Sequence, residues 1–168
     1  MADAPNWITA IDEEMLGECL RSNDDLGVVL RTHLEIERAM IRVLEQKFPN
    51  YDALRHDRFS QHIRSLRALG ATGPLFQVAD VVNQVRNEMA HVKKGVRTKL
   101  SSDDLEKLRS QANGMVGRDI FEFTVSFPGA GTRKLRDCSL SQQFTWIGFL
   151  AAAAIDTISQ REVIGTGK

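Results

Sequence analysis

Across residues 78–92 apolar side chains recur at three- and four-residue intervals: Val78, Val81, Val82, Val85, Met89 and Val92. At about 100° per residue all of them lie within about 60° of Val85, so a helix gathers them on one face, whereas a strand would need strict alternation. The same spacing recurs along most of the chain. Residues 25–48 carry Val29, Leu30, Leu34, Ile36, Ile41, Val43 and Leu44, and Pro49-Asn50 ends that pattern. Residues 58–69 carry Phe59, Ile63, Leu66 and Leu69, with Gly70 as the stop. Thr72-Gly73-Pro74 opens the helix that bears the valines, with Pro74 in its first turn and Gly95 past its end.

The remaining segments extend the pattern. A short helix is predicted over 11–21, with Ser22, Asn23 and Asp24 as N-cap candidates for the next. Ser101-Ser102-Asp103-Asp104 has the side chains of a helix start and leads into a mostly polar helix over 103–114, whose apolar residues are Leu105, Leu108 and Ala112. Residues 141–158 close the chain as a largely apolar helix that must be buried or face a partner. Residues 120–127, Ile-Phe-Glu-Phe-Thr-Val-Ser-Phe, alternate in part and read as a short strand or extended segment. Pro128-Gly129-Ala130-Gly131 is a turn or loop, and the basic cluster Arg133, Lys134 and Arg136 follows it. The expected fold is all-α: an up-down helical bundle of five to six helices with one short extended segment near 120–127. At 168 residues this is one domain over 1–168, large enough for a core without staples.

Charge narrows the function classes. With 22 Lys plus Arg and 22 Asp plus Glu, the chain does not hold nucleic acid by overall positive charge, although a local basic patch is compatible with the total. Cys19 and Cys138 have neither CxxC spacing nor nearby histidine pairs, and they read as two buried free thiols, with a single disulfide as the lesser alternative. No signal-peptide pattern opens the chain, and the longest apolar run, 147–155, is about half a membrane span. The expectation is a cytoplasmic protein with no membrane, no metal and no cofactor.

The polar cluster with a chemical use is Arg86, Asn87 and His91, within Arg86-Asn87-Glu88-Met89-Ala90-His91. It lies on the far side and flank of the valine-bearing helix, together with Asn83 and Ala90. A guanidinium forks onto phosphate oxygens, a carboxamide one turn before the imidazole orients it or the phosphate, and histidine serves as acid or base near neutrality. Cleaving RNA through its own 2′-hydroxyl needs such groups and no metal. One copy of this hexapeptide offers one histidine, so separate acid and base call for a second copy, which a C2 dimer supplies. By spacing alone the same residues read more readily as a solvated face, or as Arg86 bound to an N-terminal carboxylate.

A long amphipathic helix, then Phe59-Ser60 with the Leu69-Gly70 stop, then Val85-Arg86-Asn87-Glu88-Met89-Ala90-His91, resembles the HEPN superfamily and, within it, the mannitol-repressor (MltR-like) branch. The resemblance spans roughly residues 25–113, and its most specific element is the Arg-Asn-x-x-x-His run. It implies an all-α bundle, a homodimer, RNA as a partner, and a metal-independent endoribonuclease centre built from Arg86, Asn87 and His91. It also implies a protein partner such as an antitoxin. The sequence departs from the pattern at Lys93, where HEPN toxins paired with nucleotidyltransferase antitoxins carry a tyrosine. The mannitol-repressor branch implies no nuclease role and no DNA-reading helix-turn-helix. The alternative is therefore a non-catalytic transcriptional regulator acting through protein contacts, with residues 144–158 as the partner surface.

Other residues are read more plainly. His33, Glu35, Glu37 and Arg38 read as a solvated face with local ion pairs, the lesser alternative being Glu37 positioning Arg86. His56 and His62, with Arg55, Arg58, Arg64, Arg67, Lys93, Lys94, Arg97 and Lys99, read as solvated surface or, less readily, a phosphate-tracking rim. Trp7 and Trp146 are packing residues, Gly129-Ala130-Gly131 is no phosphate loop, and Ser139 and Ser141 lack a nucleophile-elbow context.

Overall fold

The computed structural model describes residues 11–54, 58–90, 97–127 and 131–161. The fold is all-α, with six α-helices and one two-stranded sheet among the described residues. Helix α1, Glu13–Arg21, starts where the Asp12 side chain accepts from the Met15 N–H at 2.9 Å, with Glu13 and Glu14 in the first turn and Arg21 in the last. Helix α2, Asp25–Lys47, runs to Phe48, immediately before Pro49. Helix α3, Phe59–Ala68, gives way at Gly70, whose φ of +87° suits a residue without a Cβ. Helix α4, Pro74–Ala90, begins at the proline. Helix α5, Ser102–Val116, is opened by reciprocal bonds between Ser101 and Asp104.

The segment after α5 differs in detail from the sequence expectation. A single 3-10 turn covers Ile120–Glu122, and only then does strand β1, Thr124–Phe127, form. It pairs antiparallel with β2, Gly131–Lys134, in the register Val125↔Arg133 and Phe127↔Gly131. Strand β2 is exposed at every residue, so it shows no hydropathy alternation to read, and Arg133 and Lys134 belong to it. Helix α6, Leu140–Arg161, follows.

Helix α6 is buried in the protein's own core. Phe144, Ile147, Phe149, Ala151, Ala152, Ala153 and Ile155 are all shielded, and α6 makes its broadest contact with α2. The two helices approach closely at Gly148, where a Cβ would lie 2.1 Å from Thr32 Cγ2. The partner-surface expectation for residues 144–158 is thereby corrected. Their apolar face is already spent on α2, α4 and α5, which supply Ile36, Met40, Leu44, Phe76, Val82, Leu108 and Ala112 to the same core. Both cysteines are free and buried. No described helix is long and apolar enough to cross a membrane.

Candidate functional site

Helix α4, packed against α2, carries two of the three expected site residues. Its apolar face, Val78, Val82, Val85 and Met89, is buried, while Val81 is half-buried. Arg86 and Asn87 are half-buried, and Arg86 Nη1 donates to Asn87 Oδ1 at 2.9 Å. Arg86 Nε is shielded from solvent without a hydrogen-bond partner among the described residues. His91, the third expected residue, lies outside the described residues, as do Val92, Lys93, Lys94, Arg55, His56 and Trp7.

The polar side of α4 is not open along its whole length. Asn83, one turn before Asn87, accepts from His33 Nε2 of α2 at 3.2 Å, which places the imidazole proton on Nε2. The His33 ring stacks on Phe59 of α3, with centroids 4.3 Å apart and planes inclined by 29°. Burial holds the His33 pKa below its usual value. Glu37 and the Asn83 bond oppose that shift, and the Arg86 charge adds to it. One turn along α2, Glu37 Oε1 lies 3.5 Å from Nδ1 of the buried His62 of α3. The contact with His62 lowers the Glu37 pKa; burial opposes this, and His33, the His62 charge and Arg86 lower it further. Three helices thus bring two imidazoles, a carboxylate, a carboxamide and a guanidinium together.

The solvated-face reading of α2 is therefore corrected. His33 and Glu35 are buried, whereas Leu30 and Leu34, assigned to the apolar stripe, are exposed. The signal was present in the sequence. His33 stands four residues after Val29 and three before Ile36, both fully buried, so the apolar stripe runs through the imidazole. His62 falls likewise within the inward face of α3, beside Phe59, Ile63 and Leu66, and is no surface histidine. Glu35 sits on the other edge of the buried face. Arg42 Nη2 reaches it at 3.5 Å while also forking onto Asp156 of α6, at 3.0 Å from Nε and 2.7 Å from Nη2. Arg38 Nη1 lies 3.9 Å from the other Glu35 oxygen, so the local i,i+3 pair exists, but with a buried carboxylate.

Among the described residues, three of the cations named for a phosphate-tracking rim are paired. Arg67 meets Asp80 at 3.1 Å, Lys99 lies 3.9 Å from Asp25, and Arg97 joins Glu88 at 3.0 Å as well as Asp104. Arg97 and Asp104 tie the end of α4 to the start of α5. No group of three or more histidine, cysteine, aspartate or glutamate side chains with metal-binding arrangement occurs among the described residues. Chemically, the inner part of the cluster can hold and share a proton, and the Arg86–Asn87 edge can take an anion. No protein-family model, no curated protein and no solved structure matches this chain.

Proposed function

We propose that this chain is a HEPN-type RNA-binding protein acting as a homodimer, in which Arg86 and Asn87 hold a phosphate and His91 moves the proton in cleavage. The observation that carries this reading is the state of Arg86. Its guanidinium is partly desolvated and bonded to the neighbouring carboxamide, with a shielded Nε that has no acceptor among the described residues. A desolvated cation left short of acceptors gains strongly from a phosphate, whose oxygens match its fork. Glu37 acts on Arg86 through charge, and among the described residues no carboxylate hydrogen bond consumes the guanidinium.

The test is fluorescence anisotropy with a labelled single-stranded RNA alongside a gel assay for cleavage. Arg86→Ala and Asn87→Ala should weaken RNA binding, and His91→Ala should abolish cleavage with binding and helical content retained. Parental binding by the first two variants refutes the site.

A second reading is a non-catalytic regulator that contacts a protein partner of antitoxin or transcriptional type. The burial of His33 and His62 favours it, because imidazoles sealed between helices serve packing and specificity as well as chemistry. Recovery of a stoichiometric protein partner by the full chain, with no RNA bound and no RNA cut, selects this reading over the first.

A further inference from the structure

A pocket of about 600 Å³ opens between α1, the end of α5, strand β1 and α6, away from the α2–α3–α4 cluster. Its wall is apolar, with Leu16, Leu20, Phe123, Trp146 and Leu150 among the lining residues. That volume falls within the range of about 300–1,000 Å³ common for small-molecule sites. Trp146 stands edge-on to Phe127, at 6.4 Å and 82°, which fixes the orientation of the indole in the wall.

Two charged groups of α1 border the pocket. Gly17 of α1 also lines it and leaves its own surface without a side chain. Arg21, one turn further on, lies across that glycine: a Cβ on Gly17 would meet Arg21 Nη1 at 3.1 Å and Nη2 at 3.4 Å. Arg21 is exposed and has no ion pair or hydrogen bond from its side chain among the described residues. Glu13, which also lines the pocket, sits one turn before Gly17 on α1, about 6 Å along the axis. An apolar chamber is thus bordered on its α1 side by a carboxylate at Glu13 and, beside Gly17, by a guanidinium with no partner among the described residues.

We infer that this pocket binds a small amphiphilic carboxylate, with its aliphatic body among the leucines and Trp146 and its head on Arg21. Apolar burial supplies affinity in proportion to chain length, roughly fourfold per methylene. The guanidinium fork supplies preference for a carboxylate over a neutral head. Glu13 disfavours a head seated toward the start of α1, because it would set two carboxylates together. This site is independent of the RNA reading, and neither stands or falls with the other.

The full chain carries two tryptophans, so Trp7→Phe leaves Trp146 as the sole reporter. Titration with octanoate, decanoate and decanol, each below its aggregation concentration, should give saturable one-site changes in Trp146 emission for the two acids. Decanoate should bind about tenfold or more tighter than octanoate. Arg21→Gln, a surface change that spares the core, should weaken decanoate about fivefold and leave decanol unaltered. Absence of saturable decanoate binding, equal loss of decanoate and decanol in Arg21→Gln, or affinity indifferent to chain length would each overturn the assignment.

Discussion

Gly148→Ala isolates the close approach between α2 and α6. Two terms oppose each other. Alanine in a helix interior is favoured over glycine by about 1 kcal/mol. The added methyl, however, would lie 2.1 Å from Thr32 Cγ2, a carbon of a fully buried side chain on a helix packed along its length. Overpacking of this kind costs about 1–3 kcal/mol. At 2.1 Å the contact sits far inside van der Waals separation and cannot be relieved by the tip of a flexible chain, so the upper part of that range applies. The net expectation is a loss of about 2 kcal/mol, or a fall in Tm of about 4–8 °C for a chain of this size. Urea unfolding followed by circular dichroism measures it directly. Thr32→Ser removes the offending methyl, so in the Gly148→Ala background it should return about 1 kcal/mol, while in the parent it only leaves a small void. A double-mutant cycle reads that coupling. If Gly148→Ala matches or exceeds the parent in stability, helix propensity outweighs the clash and the inferred tight crossing is wrong. Strict additivity of the two changes refutes it equally.

Three further outcomes follow from the burial of polar and titratable groups. Thr32 Oγ1 is buried without a partner among the described residues, so Thr32→Val should raise stability by about 1 kcal/mol in the same urea assay. His33 has a pKa lowered from 6.5, so the unfolded chain takes up a proton below that pH that the native site resists; this contribution to stability is whole above 6.5 and lost as pH falls toward the native value. His33→Gln should flatten the stability-versus-pH curve below 6.5, with an unchanged curve counting against the assignment. Cys19 has its pKa pushed up to about 11 by burial, opposed by Arg31 and assisted by Glu18, and Cys138 is also raised by burial, so iodoacetamide at pH 8 should label neither in the native state and both in urea.

The elements most readable from sequence were those with local punctuation. Pro74 at the start of α4, Gly70 after α3 and the Ser101–Asp104 exchange at the start of α5 all act within a few residues of the boundary they set. Strand β2 had no comparable signal, because every residue in it is exposed and its sheet partner among the described residues is β1. The candidate site was legible in half. Arg86 and Asn87 stand out on α4 by residue type, but the groups that surround them come from α2 and α3. His33 and Glu37 belong to a helix that reads as an ordinary amphipath, and His62 to a stretch dense in arginine.

Helix existence is a local matter here: hydrogen bonds four residues apart, apolar spacing of three and four, and caps at the ends settle it before any long-range contact forms. Which polar side chains go inside is a different question, since burial costs far less where the packing of other segments supplies or positions a partner. Asn83 does so for His33 across 50 residues of chain, and Arg42, itself clamped by Asp156 across 114, does so for Glu35. The all-α character therefore follows from periodicity along the chain, while the inward turn of the histidines and the burial of α6 were decided by the packing of helices far apart in sequence.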